Sequence, residues 1–230
     1  MTVDLVKHSA GDSDVLWAAR VSTAGEQSLA EMTKDPERSK GLINYLMRDR
    51  HGSPFEHNSM TFLISAPIFV FREFMRHRVG WSYNEESGRY RELQPVFYVP
   101  DASRKLVQEG RPGKYVFVDG TQEQQDLTER TMTESYGRSY EAYQEMLAAG
   151  VAREVARAVL PVGLYSSMYA TCNARSLMHF LGLRTQHEAA KVPSFPQREI
   201  EMVGEKMEEQ WARLMPLTHA AFNANGRVAP

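Results

Sequence analysis

The sequence predicts an α+β fold, a helix-rich single domain over residues 1–230 with a small central sheet. Three observations predict it. Apolar and aromatic residues recur at intervals of three and four along much of the chain, most clearly from Gln122 to Ala149, where Tyr136, Tyr140, Tyr143 and Met146 follow a helical period. A few short runs, "TVDLVKHS", "SMTFLISA" and "GLYSSMYATC", alternate or stay continuously apolar as strands do. No linker, internal repeat or low-complexity tract divides the chain.

Taken in order, "TVDLVKHS" sets Val3 and Leu5 against polar neighbours and reads as a first strand. "DSDVLWAARVS" reads as a short helix capped by Asp12 or Ser13, and "RSKGLINYLMRDRHG" as an amphipathic helix closing near Gly52. "SPFE" has the form of a capping box, Ser53 with Glu56 and Pro at the first helical position. "SMTFLISA" is a buried strand. Pro67 suits the first turn of the helix "PIFVFREFMRHR", because the N–H it lacks would be an orphan donor there. A short loop follows. Further on, "VFYV" and "YVFV" read as strands that could pair across turn signals. The long helix from Gln122 ends at Gly150, and "REVARAVLP" is a short helix stopped by Pro161. "GLYSSMYATC" is a strand, "NARSLMHFLGLR" a helix capped by Asn173, and a last helix runs from near Pro196 to Phe222.

Composition narrows the function classes. A formal charge of −2 and a pI near 6.4 give no overall basic field, so an anion site must be local and neither nucleic acid nor a membrane surface is favoured as a partner. The one cysteine, Cys172, excludes an internal disulfide and a thiolate metal cluster. No apolar run approaches the length of a membrane span, and a cytoplasmic protein is expected. G-x-G-x-x-G after a strand, G-x-x-x-x-G-K-[ST] and G-x-S-x-G are all missing. The spacing of His51, Ser53, Glu56 and His57 matches no metal motif, and no metal is expected.

The densest polar constellation is "MRHRVGWSYNEESGRY". Arg76, His77 and Arg78 end a helix, where cations satisfy terminal carbonyls and the dipole, or hold an anion. Beyond the short loop, Ser87, Arg89 and the N–H groups around Gly88 could converge on one oxyanion as a nest, with Gly88 permitting the turn. Glu85 and Glu86 would repel a bare phosphate but suit ribose hydroxyls or a base N–H, so the composite suggests a nucleotide. In "VAREVARAVLP", Arg157 lies within an apolar run while Arg153 reads as solvated beside Glu154. In "NARSLMHFLGLRTQHE", Arg175 and His179 share a face, His179 reading as a core histidine or a ligand, and Arg184 requires a partner wherever it is buried. Cys172 sits in a strand and reads as packed rather than nucleophilic.

These segments resemble a known family. "RHRVGWSYNEESGRY" resembles the Arg-His-Arg … Ser signature of the flavin-dependent thymidylate synthases, and "AARVS", "HGSPFEH", "APIFVFREFMRHR", "REVARAVLP" and "NARSLMHFLGLR" follow in family order over nearly the whole chain. The resemblance implies a homotetramer with active sites at subunit interfaces. It implies methylation of dUMP to dTMP, with 5,10-methylenetetrahydrofolate as carbon donor, NADPH as reductant and FAD relaying hydride to uracil carbon 6. By position it implies that Ser53, Arg76, His77, Arg78, Glu85, Asn173, Ala174, Arg175 and His179 bind flavin. Glu73, Arg76, Glu85, Glu86, Ser87, Gly88, Arg89, Arg157 and Arg184 are implied at dUMP. Arg184 and His51 are implied in the reaction, Arg184 by stabilising charge on the uracil ring.

Two departures stand out. Glu73 occupies a place where relatives often have glutamine, and "EAAKVPSFP" reads as inserted between His187 and Gln197. The competing class is a noncatalytic arginine-rich RNA-binding module, which would need a basic average and stacking aromatics that this sequence lacks. A weaker alternative is a flavin- and folate-dependent uracil methyltransferase acting on RNA.

Overall fold

Strand β1 (Thr2–Ser9) pairs antiparallel with β2 (Ser59–Pro67), Leu5 opposite Phe62 and His8 opposite Met60, with a bulge between Leu5 and Lys7. The computed structural model describes residues 1–24, 35–111 and 114–230. They fall into two compact units, one of Met1–Ser65, Arg72–Asn84 and Ser167–Pro230, the other of Ala66–Phe71 and Glu85–Ser166.

The first unit carries most of a four-stranded sheet in the order β1-β2-β6-β3, with β3 at Trp81–Glu85 and β6 at Tyr165–Cys172. Strand β3 lies where the sequence suggested only a loop. Its alternation, Trp81 and Tyr83 half-buried against exposed Ser82 and Asn84, is too short a signal to separate from a turn. At the edge of β1, the Gln210 side chain accepts from the Leu5 N–H at 2.6 Å and donates to the Val3 carbonyl at 2.9 Å. A covered edge is no template for a foreign strand.

Helices α1 (Asp12–Ala24) and α2 (Pro36–Arg48) pack with the later helices of this unit. Asp35 caps α2, and the chain leaves it at Asp49 and Arg50, whose φ is 63°, before reaching Gly52. Asp12 does not cap its own helix. Its carboxylate accepts from the N–H groups of Leu217 and Thr218, at 2.8 and 2.9 Å, and so caps the last helix. The terminal segment is two helices, α7 (Arg198–Leu214) and α8 (Pro216–Ala224), because Pro216 has no N–H to continue the ladder and suits a helix start instead. Helix α3 (Ile68–Phe74) begins one residue after Pro67, which ends β2. Helix α6 spans Ala174–Arg184. Phe55, Phe62, Phe74, Phe180, Trp211 and Phe222 fill the core of this unit.

The second unit is built on α4 (Gln122–Ala148), opened by a reciprocal Thr121–Gln124 capping box and closed at Gly150, φ +81°. Tyr143 is its one buried residue; Tyr136 stacks on Phe97 at 4.9 Å. The hairpin joins β4 (Val107–Arg111) to β5 (Lys114–Val118). "YVFV" therefore pairs with 107–111, while "VFYV" makes only a bridge, Phe97 to Leu164. The turn residues Pro112 and Gly113 lie outside the described residues. Helix α5 (Arg153–Ala156) runs into a 3-10 turn, Arg157–Val159, ahead of Pro161.

Candidate active site

Two clusters of the sequence-predicted residues form, one in each unit. In the first unit, α3 stops at Phe74 and the chain turns, Arg76 N–H to the Glu73 carbonyl at 3.2 Å and His77 N–H to that of Phe74 at 2.8 Å. The Tyr83 hydroxyl lies 3.0 Å from the Phe74 carbonyl and 2.8 Å from that of His77, so β3 holds carbonyls that the helix end leaves open. Burial pushes the Tyr83 phenol up, keeping it a neutral donor. Gly80, φ +70°, lets the segment press onto α6: a Cβ there would stand 2.1 Å from the Ser176 hydroxyl, which donates to the Val79 carbonyl at 3.0 Å. The side chains of Arg76 and Arg78 are exposed and, among the described residues, make no hydrogen bond or ion pair.

Two N–H groups at the start of helix α6 are taken by asparagine side chains. Asn173 Oδ1 accepts from Ser176 N–H at 2.9 Å, as the sequence suggested, and Asn58 Oδ1 accepts from Ala174 N–H at 2.8 Å. Ala174 is buried and its amide is taken, so it offers a ligand no donor of its own. Arg175 donates to Glu56 and, at 2.6 Å, to the Pro230 carbonyl, lying where any Cβ at Gly52 would collide with it. The capping box read in "SPFE" does not form. Gly52 precedes a 3-10 turn (Ser53–Glu56) without a side-chain cap, and Glu56 is drawn to Arg175 instead. Ser53 is exposed, and His51, also exposed, faces Tyr45 with ring centroids 5.5 Å apart. His179 sits on the more open side of α6, its imidazole pushed down by partial desolvation and by Arg175.

Arg184, the last residue of α6, finds the partners its position demanded. Its Nη1 donates to Glu73 Oε2 and its Nε to His77 Nε2 at 3.1 Å, with both ion-pair side chains mostly shielded, 21% and 26% exposed. Burial first, then the charges of Arg184 and His179, lower His77 to about 4, so its ring is neutral at pH 7. Arginine has no acceptor. The Nε2 that receives its proton therefore bears the lone pair, and Nδ1 carries the hydrogen. The His77 ring meets Phe180 edge-on at 4.9 Å, and Phe180 stacks on Phe74 at 4.7 Å, fixing its plane.

In the second unit, Gly88 is buried and does not adopt left-handed backbone, so it forms no nest of the expected kind. It is needed for close approach: a Cβ would meet Leu93 Cδ1 at 2.9 Å and Arg157 Cδ at 3.2 Å. The N–H groups of Arg89, Tyr90 and Arg91 already bond to Ser87, the first to its hydroxyl and the others to its carbonyl. Arg89 pairs with Glu154 at 2.9 Å and Glu86 with Arg91 at 3.0 Å. Arg157 is exposed rather than embedded, its stem over Gly88 and its charge near Glu85. Burial raises the Glu85 carboxyl, offset in part by the Ser166 hydroxyl and Arg157.

The family model described as "Thymidylate synthase complementing protein" matches residues 4–217. A flavin-dependent thymidylate synthase of Streptomyces avermitilis is 88% identical over all of this chain and 94% of that protein. One from Tropheryma whipplei is 60% identical over all of this chain and 95% of its own length. The chain belongs to the flavin-dependent thymidylate synthases. Among solved structures, the UMP/dUMP methylase PolB from Streptomyces cacaoi, bound with 5-Br dUMP, superposes with a TM-score of 0.93 at 59% identity, covering 100% of this chain and 97% of that one.

For a flavin-dependent thymidylate synthase, the donor set of the first cluster fits a dinucleotide flavin. Exposed Arg76 and Arg78, without a partner among the described residues, offer beside neutral His77 multidentate donors of the kind that hold a diphosphate. The sequence pointed to these arginines through their clustering. It gave no sign of Asn58, Tyr83 or Ser176, whose polar atoms work only through residues distant in the chain.

Proposed function

We propose that this enzyme acts as a cytoplasmic homotetramer, reductively methylating dUMP to dTMP with 5,10-methylenetetrahydrofolate as carbon donor, NADPH as reductant and FAD as resident cofactor. Identity of 88% to a flavin-dependent thymidylate synthase supports the reaction, and PolB with its bound 5-Br dUMP supports the nucleotide. The observation that carries the reading is Arg184, a shielded guanidinium whose Nη2 group makes no hydrogen bond among the described residues after Glu73 and His77 take Nη1 and Nε.

FAD, when bound, supplies a hydride donor for uracil carbon 6. Arg76, His77, Arg78, Ser53, Asn173, Arg175 and His179 would hold it, with Ala174 contributing packing only and Glu85 supplied by a neighbouring subunit. Arg184 faces the C4 carbonyl side of the pyrimidine, where negative charge gathers as carbon 6 is attacked, and it stays protonated at pH 7. Cys172 is buried and its thiol is pushed up by that burial, so it supplies no thiolate for attack on the ring. Ser87 accepts from Arg89 N–H at 3.3 Å and, among the described residues, no base hydrogen-bonds to its hydroxyl, so it binds rather than attacks. Ser87, Arg89 and Arg157 take the phosphate, Glu85 and Glu86 accept from nucleoside hydroxyls or N–H groups, and Gly88 keeps the loop close to Arg157, with Arg76 reaching dUMP from a neighbouring subunit. His51 is assigned to the reaction from its place in the family pattern.

Purified protein should be yellow and should release dTMP from dUMP only with both the folate donor and NADPH present. A colourless protein that stays inactive after reconstitution with FAD refutes the proposal. Arg184→Ala should keep FAD and lose methyl transfer; loss of the flavin with it would contradict the pyrimidine role. A second reading, methylation of UMP as well, is favoured by PolB also being seen with 5-Br UMP, at 58% identity and a TM-score of 0.90. Equal turnover of UMP and dUMP would establish it, and a uridine-containing RNA in the same assay tests the RNA alternative.

A further inference from the structure

Glu73 and His77 come from one short span, the last turn of α3 and the turn that follows it, and both reach the same guanidinium of α6. Glu73 takes Nη1 and His77 takes Nε. A long, flexible arginine held at two nitrogens cannot pivot about its stem, and its remaining donors keep a fixed direction. The aromatic contact of His77 with Phe180, itself stacked on Phe74, makes one of the two holders rigid. The other is a carboxylate, which also offsets the guanidinium charge while no pyrimidine is present.

We propose that Glu73 is a positioning residue that orients Arg184 for the pyrimidine and acts through that arginine. The inference rests on the pyrimidine role assigned to Arg184 above. An acceptor at this reach is what the arrangement needs, so the isosteric amide should serve. Glu73→Gln should keep kcat within about 3-fold of wild type, whereas Glu73→Ala, and Glu73→Asp with its shorter reach, should lose about 10- to 100-fold in kcat. In all three, flavin content should stay close to wild type, because the effect falls on the pyrimidine side of the site.

Crystal structures of wild type and the variants read the position directly, whatever the activity. Arg184 should remain on His77 Nε2 in Glu73→Gln and leave it in Glu73→Ala or, if that variant does not fold, in Glu73→Asp. An Arg184 that does not move, or a kcat unchanged in both Glu73→Ala and Glu73→Asp, overturns the proposal. Equal loss of flavin and thermal stability in all three variants does so too, since it marks a merely structural pair. A wild-type protein that makes no dTMP while Arg184 still shifts in Glu73→Ala would refute the assigned reaction and leave the positioning role standing.

Discussion

Replacing Gly80 by alanine should loosen the junction between the Arg76–Arg78 segment and α6, and the size of the effect can be built from the structure. The new Cβ would lie 2.1 Å from the Ser176 hydroxyl, 3.2 Å from Ser176 Cβ and 3.3 Å from Asn173 Nδ2, so the two segments must part. Holding a φ of +70° with a side chain costs about 1–2 kcal/mol, and losing the Ser176 hydroxyl's bond to Val79 costs about 1 kcal/mol. The expected loss is about 3 kcal/mol, a fall of roughly 6–12 °C in Tm for a chain of this size. Gly41→Ala is the control, since no atom lies within 4 Å of a Cβ there, and it should gain about 0.5–1 kcal/mol in the interior of α2. Adding Ser176→Ala to Gly80→Ala removes the nearest atom but not the backbone strain, so the double variant should recover about 1 kcal/mol relative to the sum of the single changes. Urea titrations of wild type, the three single variants and the double variant measure all of this. A Gly80→Ala protein as stable as wild type, or a double variant that recovers nothing, refutes the reasoning.

Glu208 should make the fold acid-labile in a defined window. Its own burial, which raises it, is outweighed by Arg227 and His219, leaving its carboxyl at about 2 against an ordinary 4.5. Its contribution, at most about 3 kcal/mol, is therefore whole above pH 4.5 and disappears as pH falls through 2. Glu208→Gln, which leaves nearly inaccessible Arg227 without its anion, should lie below wild type at pH 7 and converge with it near pH 2. His77 acts in a higher window: lowered to about 4 from 6.5, it makes the unfolded chain bind the extra proton, so stability declines as pH drops from 6.5 to 4 and His77→Asn flattens that slope. Asp12→Ala should cost about 1–2 kcal/mol by leaving the first turn of α8 uncapped, which hydrogen exchange at Leu217 and Thr218 would report. Gly88→Ala should push Arg157 away and raise KM for dUMP by about 10-fold while flavin content holds, from displacement of a phosphate ligand.

What the sequence made legible was local. Asn173 caps the helix that begins after it, Gly150 ends the helix before it, and the period of Tyr136, Tyr140 and Tyr143 marks one helix, because each rule acts within a turn or two. Partners chosen by the fold were not legible. Asp12 looks like the cap of its own helix, yet it serves residues 205 and 206 positions away. Glu56 looks like half of a capping box, yet an arginine 119 positions on outcompetes a local N–H, as a charge-assisted bond does. Gly88 shows why composition alone misleads: it reads as a turn residue, but its backbone is ordinary and the demand is for space beside Leu93 and Arg157. Arg184 falls between these cases. Its place in an apolar pattern announced that a partner must exist, and only the packing of α3 against α6 said which.

The arginines of the first cluster meet different fates, and the difference is physical. Arg175 and Arg184 are spent on acceptors from the chain itself, which fixes them in place, whereas Arg76 and Arg78 stay exposed with no partner among the described residues. Like charges gathered this way repel one another unless an anion joins them. The fold relieves part of that repulsion through Glu56 and Glu73, and part by holding His77 neutral, which removes a cation that an ordinary imidazole would contribute in mild acid. The same neutrality gives Arg184 an acceptor, since a protonated ring would offer only donors. Burial of His77 therefore does two jobs with one shift, lowering the charge of the cluster and leaving Arg184 an acceptor, while the repulsion left between Arg76 and Arg78 is attraction available to an anion.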